Sequence, residues 1–191
     1  RTPAGAPGPR LRPRSRPRRL VLAGRGRGGR ARRGADRRGL PGAPRRGGGT
    51  TGNKIEAIEN LGVTQNQFDC IDLSDNDVLK LEGFPLLPRL KTLLLNHNHI
   101  KRIGRKLDEV IPNLETLILT HNKLARLQDV DHLGCLAKLQ RLSLLSNPVV
   151  TTPHYRLYVV HLLPALKMLD FRKVTRAERE QAAAMFGGEG G

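Results

Sequence analysis

The chain has 191 residues, a formal net charge of +17 and 38% apolar residues, a length that predicts one domain. Its two cysteines, Cys70 and Cys135, lack paired spacing, so neither a disulfide framework nor a zinc-ligand set is indicated, and a reducing compartment is expected. No apolar run reaches membrane-spanning length, and Leu20-Val21-Leu22-Ala23 is too short for a secretory core.

The charge is uneven. Residues 1–50 hold 16 Arg and one Asp, whereas residues 51–191 hold 18 Lys plus Arg against 16 Asp plus Glu. The basic character is a tail on a nearly neutral domain. Residues 1–51 are mainly Arg, Gly, Pro and Ala, with too little apolar surface to offset ordering entropy, and are read as disordered. RGRGGR at 25–30 has the composition of arginine-glycine RNA-binding segments. Translated non-coding sequence is the competing origin for this stretch.

Foldable sequence begins with GNKIEAIENLG at 52–62. The pattern L-x-x-L-x-L-x-x-N-x-(L/I/V) then returns four times, at 68–78, 90–100, 114–124 and 139–149. The asparagines are Asn76, Asn98, Asn122 and Asn147, at spacings of 22, 24 and 25 residues. This period and lettering specify a leucine-rich repeat solenoid, an α/β fold with short parallel strands on the concave side. Each copy is too small to bury its own apolar face, so neighbours must stack into one core. A strand such as Leu93–Leu95 is expected to point its first and third residues inward. Each frame asparagine, with two donors and an acceptor, satisfies backbone groups where the chain leaves the strand. Asn53 falls 23 residues before Asn76 and marks the end of an earlier copy. Thr50 and Gly48 stand where that copy needs Leu or Ile, so its strand is read as missing and its edge as unprotected.

Leu81–Pro88, Ile103–Pro112 and Leu127–Leu136 connect the copies on the convex side and predict short helical or 3₁₀ turns. Thr152, with Pro153 after it, predicts a capped helix with an apolar face of Tyr155, Val159 and Leu162 or Leu163. Leu166 and Leu169 repeat the strand spacing once more. Thr175-x-x-Glu178 is a capping box that opens a helix to about Phe186. The resulting division is a tail at 1–51, a repeat domain with its C-terminal cap at 52–171, and a final helix with a flexible end at 172–191.

The outward strand positions are Cys70, Asp72 and Ser74; Thr92, Leu94 and Asn96; Thr116, Ile118 and Thr120; and Arg141, Ser143 and Leu145. Leu94, Ile118 and Leu145 are expected to form an apolar column along the concave face, with polar columns beside it. Such a stripe suits a partner helix laid across it. Asp75, His97, His121 and Ser146 precede the frame asparagines and are expected to stack about 5 Å apart. They read as a ladder at the edge of the binding surface, since no third strong ligand completes a metal set. Lys91, Lys101, Arg102, Lys123 and Arg126 are candidates for RNA phosphate contact, with an ordinary solvated face as the alternative reading. Few aromatic residues are present, and the aromatic-studded sheet of an RNA-reading domain is absent.

IENLG, FDCIDLSDNDVLKLEGFPLLPRLKTLLLNHNHI, NPVVTTPHYRLYVVHLLPALKMLDF and KVTRAEREQAAAMF resemble the U2 small nuclear ribonucleoprotein A-prime family, from about Gly52 to Phe186. The resemblance implies a nuclear, non-enzymatic scaffold of the spliceosomal U2 particle. It implies a concave face that binds the RNA-recognition-motif protein B-double-prime, and with it stem-loop IV of U2 snRNA. It implies no cofactor. The sequence departs from the family before Gly52, where a first repeat and an N-terminal helix are expected. A different intracellular repeat adaptor, phosphatase-regulatory or dynein-associated, is the alternative. An enzyme is rejected, because no catalytic set or phosphate loop stands in the sequence.

Overall fold

The computed structural model describes residues 18–22, 55–58 and 66–188. Asn53 and most of the tail lie outside these. Each repeat copy supplies a three-residue strand: β2 (Cys70–Asp72), β4 (Thr92–Leu94), β6 (Thr116–Ile118) and β7 (Arg141–Ser143). They pair in parallel, in chain order, with Cys70, Thr92, Thr116 and Arg141 side by side. The strand expected at Leu93–Leu95 starts one residue earlier. The inward positions are nonetheless Leu93 and Leu95, both fully buried. Ile71, Leu93, Leu117 and Leu142 make one buried layer, and Leu73, Leu95, Leu119 and Leu144 the next. Burying each such side chain stabilises the stack by about 1.5–3 kcal/mol. A second, two-stranded ladder on the strand-exit side joins β3 (Lys80–Leu81) to β5 (Arg102–Ile103).

The frame asparagines are the polar part of this core. Asn76, Asn98, Asn122 and Asn147 are buried. The Asn98 amide donates to Leu95 O and Asn96 O in its own coil and to Leu73 O in the preceding one. Its Oδ1 accepts from Val78 N–H, 3.0 Å away. Asn122 and Asn147 repeat the arrangement one and two coils later. Each asparagine therefore rivets its coil to the one before it.

The first coil departs from expectation. Its strand is present, but it comes from the arginine-rich tail. β1 (Arg19–Val21) pairs in parallel with β2, Leu20 beside Ile71. Leu20 and Leu22 pack against the end of the core. Leu22 N–H donates to Asp72 O at 2.8 Å. Leu22 O accepts from the Asn76 amide at 2.7 Å, as Leu73 O does from Asn98. The other half of the coil is Ile55–Ile58: Ile55 N–H donates to Asn76 Oδ1, and Asp77 N–H donates to Ile55 O. The paired positions Arg19 and Cys70 are 51 residues apart, against 22 for Cys70 and Thr92. One repeat is thus assembled from two segments with 32 residues, 23–54, between them.

The convex side is more varied than the sequence suggests. Ile103–Pro112 contains α1 (Leu107–Val110). Leu127–Leu136 contains two 3₁₀ turns, Leu127–Asp129 and Asp131–Cys135. Leu81–Pro88 contains no helix; it runs irregularly, burying Phe84 and Leu87. Its Gly83 has φ of +84°, and a Cβ there would meet Ile58 O at 2.8 Å, so only glycine lets this connection close on the first coil.

At the C-terminal end, Pro148–Thr151 forms a 3₁₀ turn with its proline in the first turn. Thr152 therefore ends that turn and does not cap the next helix, contrary to its reading as an N-cap. α2 (Tyr155–Leu162) starts one step later, from His154 in the left-handed region at φ 60°. Tyr155, Val159, Val160 and Leu163 are its buried residues, whereas Leu162 is half-buried. β8 (Met168–Leu169) continues the parallel sheet, and β9 (Arg172–Lys173) turns back antiparallel against it. α3 (Arg176–Phe186) follows with the expected Thr175–Glu178 capping box. Arg156 from α2 holds the same Glu178 at 2.5 Å, clamping the two helices together.

Candidate functional site: the concave sheet face

Strand pairing places the outward side chains in columns. The first is Arg19, Cys70, Thr92, Thr116, Arg141 and Met168, and the second is Val21, Asp72, Leu94, Ile118 and Ser143. Leu94 and Ile118 are therefore neighbours, as expected. Leu145 is not their continuation: it lies two residues beyond Ser143, in the column of Ser74, Asn96 and Thr120. A period-two strand cannot carry Ser143 and Leu145 to the same place. Ser143 is also buried, and its hydroxyl lies 3.1 Å from that of Thr120. The apolar surface is thus a short stripe, Leu94 and Ile118, with Leu145 set diagonally from it. β1 adds two residues that the sequence reading missed. Val21 is exposed, and Arg19 forms an ion pair with Asp72. The alternating Leu20 and Leu22 were the available signal.

Electrostatics divide this face. Burial pushes the Asp72 carboxyl upward, but hydrogen bonds from Ser74 and the Arg19 guanidinium outweigh it, leaving the pKa below its ordinary value. Asp72 is therefore ionised and held in its ion pair with Arg19 at the N-terminal end. Arg141, towards the C-terminal end, is exposed and in no ion pair among the described residues. Burial raises the Cys70 thiol, so that cysteine is not an activated nucleophile. The Asn96 side-chain oxygen is buried without a partner among the described residues. A donor arriving on this face would satisfy it.

The four rim positions share one backbone conformation, and of the expected ladder the His97–His121 pair stacks. Asp75, His97, His121 and Ser146 all take left-handed φ, from 53° to 60°. This conformation turns each chain off its strand in the same way. His97 and His121 stack with ring centroids 4.4 Å apart and planes 12° from parallel. Among the described residues, no group of three or more His, Cys, Asp or Glu side chains could hold a metal ion.

The basic candidates separate. Lys91 lies just before β4, on the edge where chains enter the strands, and pairs with Glu115 at 3.2 Å. Lys101, Arg102, Lys123 and Arg126 lie on the opposite, strand-exit side, all exposed. Arg102 and Arg126 line one small cleft with Gln128, Asp129 and His132. Arg126 is largely committed to Asp129, which it holds at 3.1 Å. Of the basic candidates, only Arg102 and Arg126 are thus brought together in one cleft.

A leucine-rich repeat profile matches residues 41–191. The chain is 55% identical over 140 residues to human U2 small nuclear ribonucleoprotein A′, covering 73% of this chain and 55% of that protein. It is 52% identical to the Arabidopsis thaliana protein of the same name, covering 71% of this chain and 54% of that one. The chain thus spans about half the length of these curated relatives. Among solved structures, the Drosophila melanogaster SNF/U2A′ complex contains a chain 52% identical, with a TM-score of 0.69. That match covers 71% of this chain and 78% of the other.

Proposed function

This chain belongs to the leucine-rich repeat family, and from that premise we propose that it is a non-enzymatic scaffold of the nuclear U2 particle in pre-mRNA splicing. Its concave face takes a helix of an RNA-recognition-motif partner of the B-double-prime kind. Together the two hold stem-loop IV of U2 snRNA, with base readout supplied by the partner. The observation that carries this reading is the half-buried pair Leu94 and Ile118, neighbours on the sheet face with Thr92, Asn96, Thr116 and Thr120 beside them. In support, a relative at 52% identity was solved in complex with SNF.

The test mixes the full chain with the partner and stem-loop IV at micromolar concentration. A ternary complex is expected, and its absence overturns the reading. The double variant Leu94→Glu and Ile118→Glu should remain folded, because both side chains point away from the core, and should lose partner binding at least a hundredfold. Retained binding by the folded variant would remove the concave face as the site.

A further inference from the structure

The β8–β9 hairpin carries two features, the first of which shares only Arg141 and Met168 with the concave columns. The first is a cleft of about 510 Å³ lined by Arg141, Lys167, Lys173 and Arg179, with Met168 and Val174 among its apolar contacts. No carboxylate lines it. Arg141, Lys167 and Lys173 are in no ion pair among the described residues. Among the described residues, the Arg179 guanidinium donates to a backbone oxygen, Leu166 O. Nearby acids are occupied: Glu115 by Lys91 and Glu178 by Arg156. Four cations around one cleft repel each other, and among the described residues no acid lines it.

The second feature is Phe171. It is 65% exposed, so its ring is not a core residue. Asp170 and Phe171 join β8 to β9 with φ of 52° and 60°. Two consecutive left-handed residues in a two-residue hairpin turn favour Asn-Gly or Asp-Gly. Asp170 has a structural reason to be there, since its carboxylate accepts from Leu144 N–H and from Tyr155 O–H. Phe171 stands in the strained place of a glycine and buries little in return. It is two residues from Lys173, about 7 Å of extended chain.

We propose that this hairpin is an RNA contact: the cleft takes phosphodiester groups, and Phe171 stacks on an unpaired base. A charged groove beside an exposed aromatic ring is how single-stranded nucleic acid is held without sequence readout. An acidic peptide would use the cations but leave the ring unexplained. The choice of RNA over other nucleic acid rests on the scaffold reading above.

The experiment compares the full chain with its Lys167→Glu/Lys173→Glu and Phe171→Gly variants. Each is titrated from 50 to 300 mM KCl (about the range over which phosphate contacts respond strongly) with labelled oligouridylate, stem-loop IV carrying unpaired flanks, and polyglutamate. The arginine-rich tail is common to all three proteins, so differences report the hairpin. The double reversal should weaken oligouridylate binding about tenfold and lower the salt slope by about 1.4, for two phosphates at about 0.7 each. Phe171→Gly should weaken it by about tenfold with the slope unchanged, while raising the melting temperature. RNA affinities within twofold of wild type for both variants would overturn the proposal. So would a lower melting temperature for Phe171→Gly, or polyglutamate binding that depends on Phe171. Partner binding without RNA, measured in parallel, separates the two readings: a chain that fails to bind the partner refutes the scaffold and leaves the RNA comparison valid.

Discussion

Replacing Asn122 by alanine tests what the frame asparagines contribute. The side chain accepts from Ile100 N–H at 3.0 Å and donates to Leu95 O, Leu119 O and Thr120 O at 2.9, 3.0 and 3.4 Å. After truncation, Leu95 O keeps the Asn98 amide and Leu119 O keeps the Asn147 amide. Ile100 N–H keeps nothing among the described residues, and it is buried. That orphaned donor costs about 1–3 kcal/mol, and the two lost amide donations about 0.5–1.5 kcal/mol each. The expected loss is therefore about 2–6 kcal/mol, a large share of the 5–15 kcal/mol typical of a domain. Urea unfolding followed by circular dichroism measures it. Asn113→Ala is the control, since that side chain hydrogen-bonds at the exposed surface, to Pro88 O and Lys138. Its loss should stay below about 1 kcal/mol. A loss below about 1 kcal/mol for Asn122→Ala would refute the riveting role.

Two further perturbations address the ends of the array. Leu20→Asp should destabilise the chain and promote aggregation, because it places a charge against the core beside Ile71 and frees the β2 edge; light scattering during thermal unfolding reads both. A variant that melts and scatters like wild type would mean that β1 contributes nothing. At the other end, Arg156 holds the Glu178 carboxyl down at about 2, against an ordinary 4.5. A depressed carboxyl stabilises the fold fully above the ordinary value and loses that contribution as pH falls towards about 2. The α2–α3 clamp should thus weaken between pH 4.5 and about 2. In Glu178→Gln that component of acid sensitivity should vanish; an unchanged acid profile would assign the loss elsewhere.

The repeat array was legible because its signal is redundant. Inward leucines and frame asparagines recur in one frame, and stacking allows only one solution to that pattern. Strand β1 was not legible, because the letters that define a coil are read at a fixed spacing. Arg19–Leu22 and Ile55–Ile58 are separated by 32 residues, so no fixed-period comparison joins them. The placement of Leu145 shows a different limit. Its letter fits an outward position, but the column to which a residue belongs is set by pairing register. Thr152 fits a helix cap by composition and lost that role to a local competitor, the 3₁₀ turn at Pro148. β9 and the hairpin had no repeat signature at all, since a two-residue turn of Asp-Phe does not look like a turn.

The split first coil also sets an order of events. Closing a contact across 51 residues rather than 22 costs only about 0.7 kcal/mol more chain entropy, which equilibrium stability can absorb. Kinetics are less forgiving, because nearest-neighbour contacts form before distant ones. The coils from Cys70 onward can assemble from local contacts, and β1 must then find β2 from far along the chain. Until it does, β2 is an open strand edge on a nearly finished protein, the state most prone to self-association. The folding hazard of this molecule is therefore concentrated at one step, the docking of Arg19–Val21.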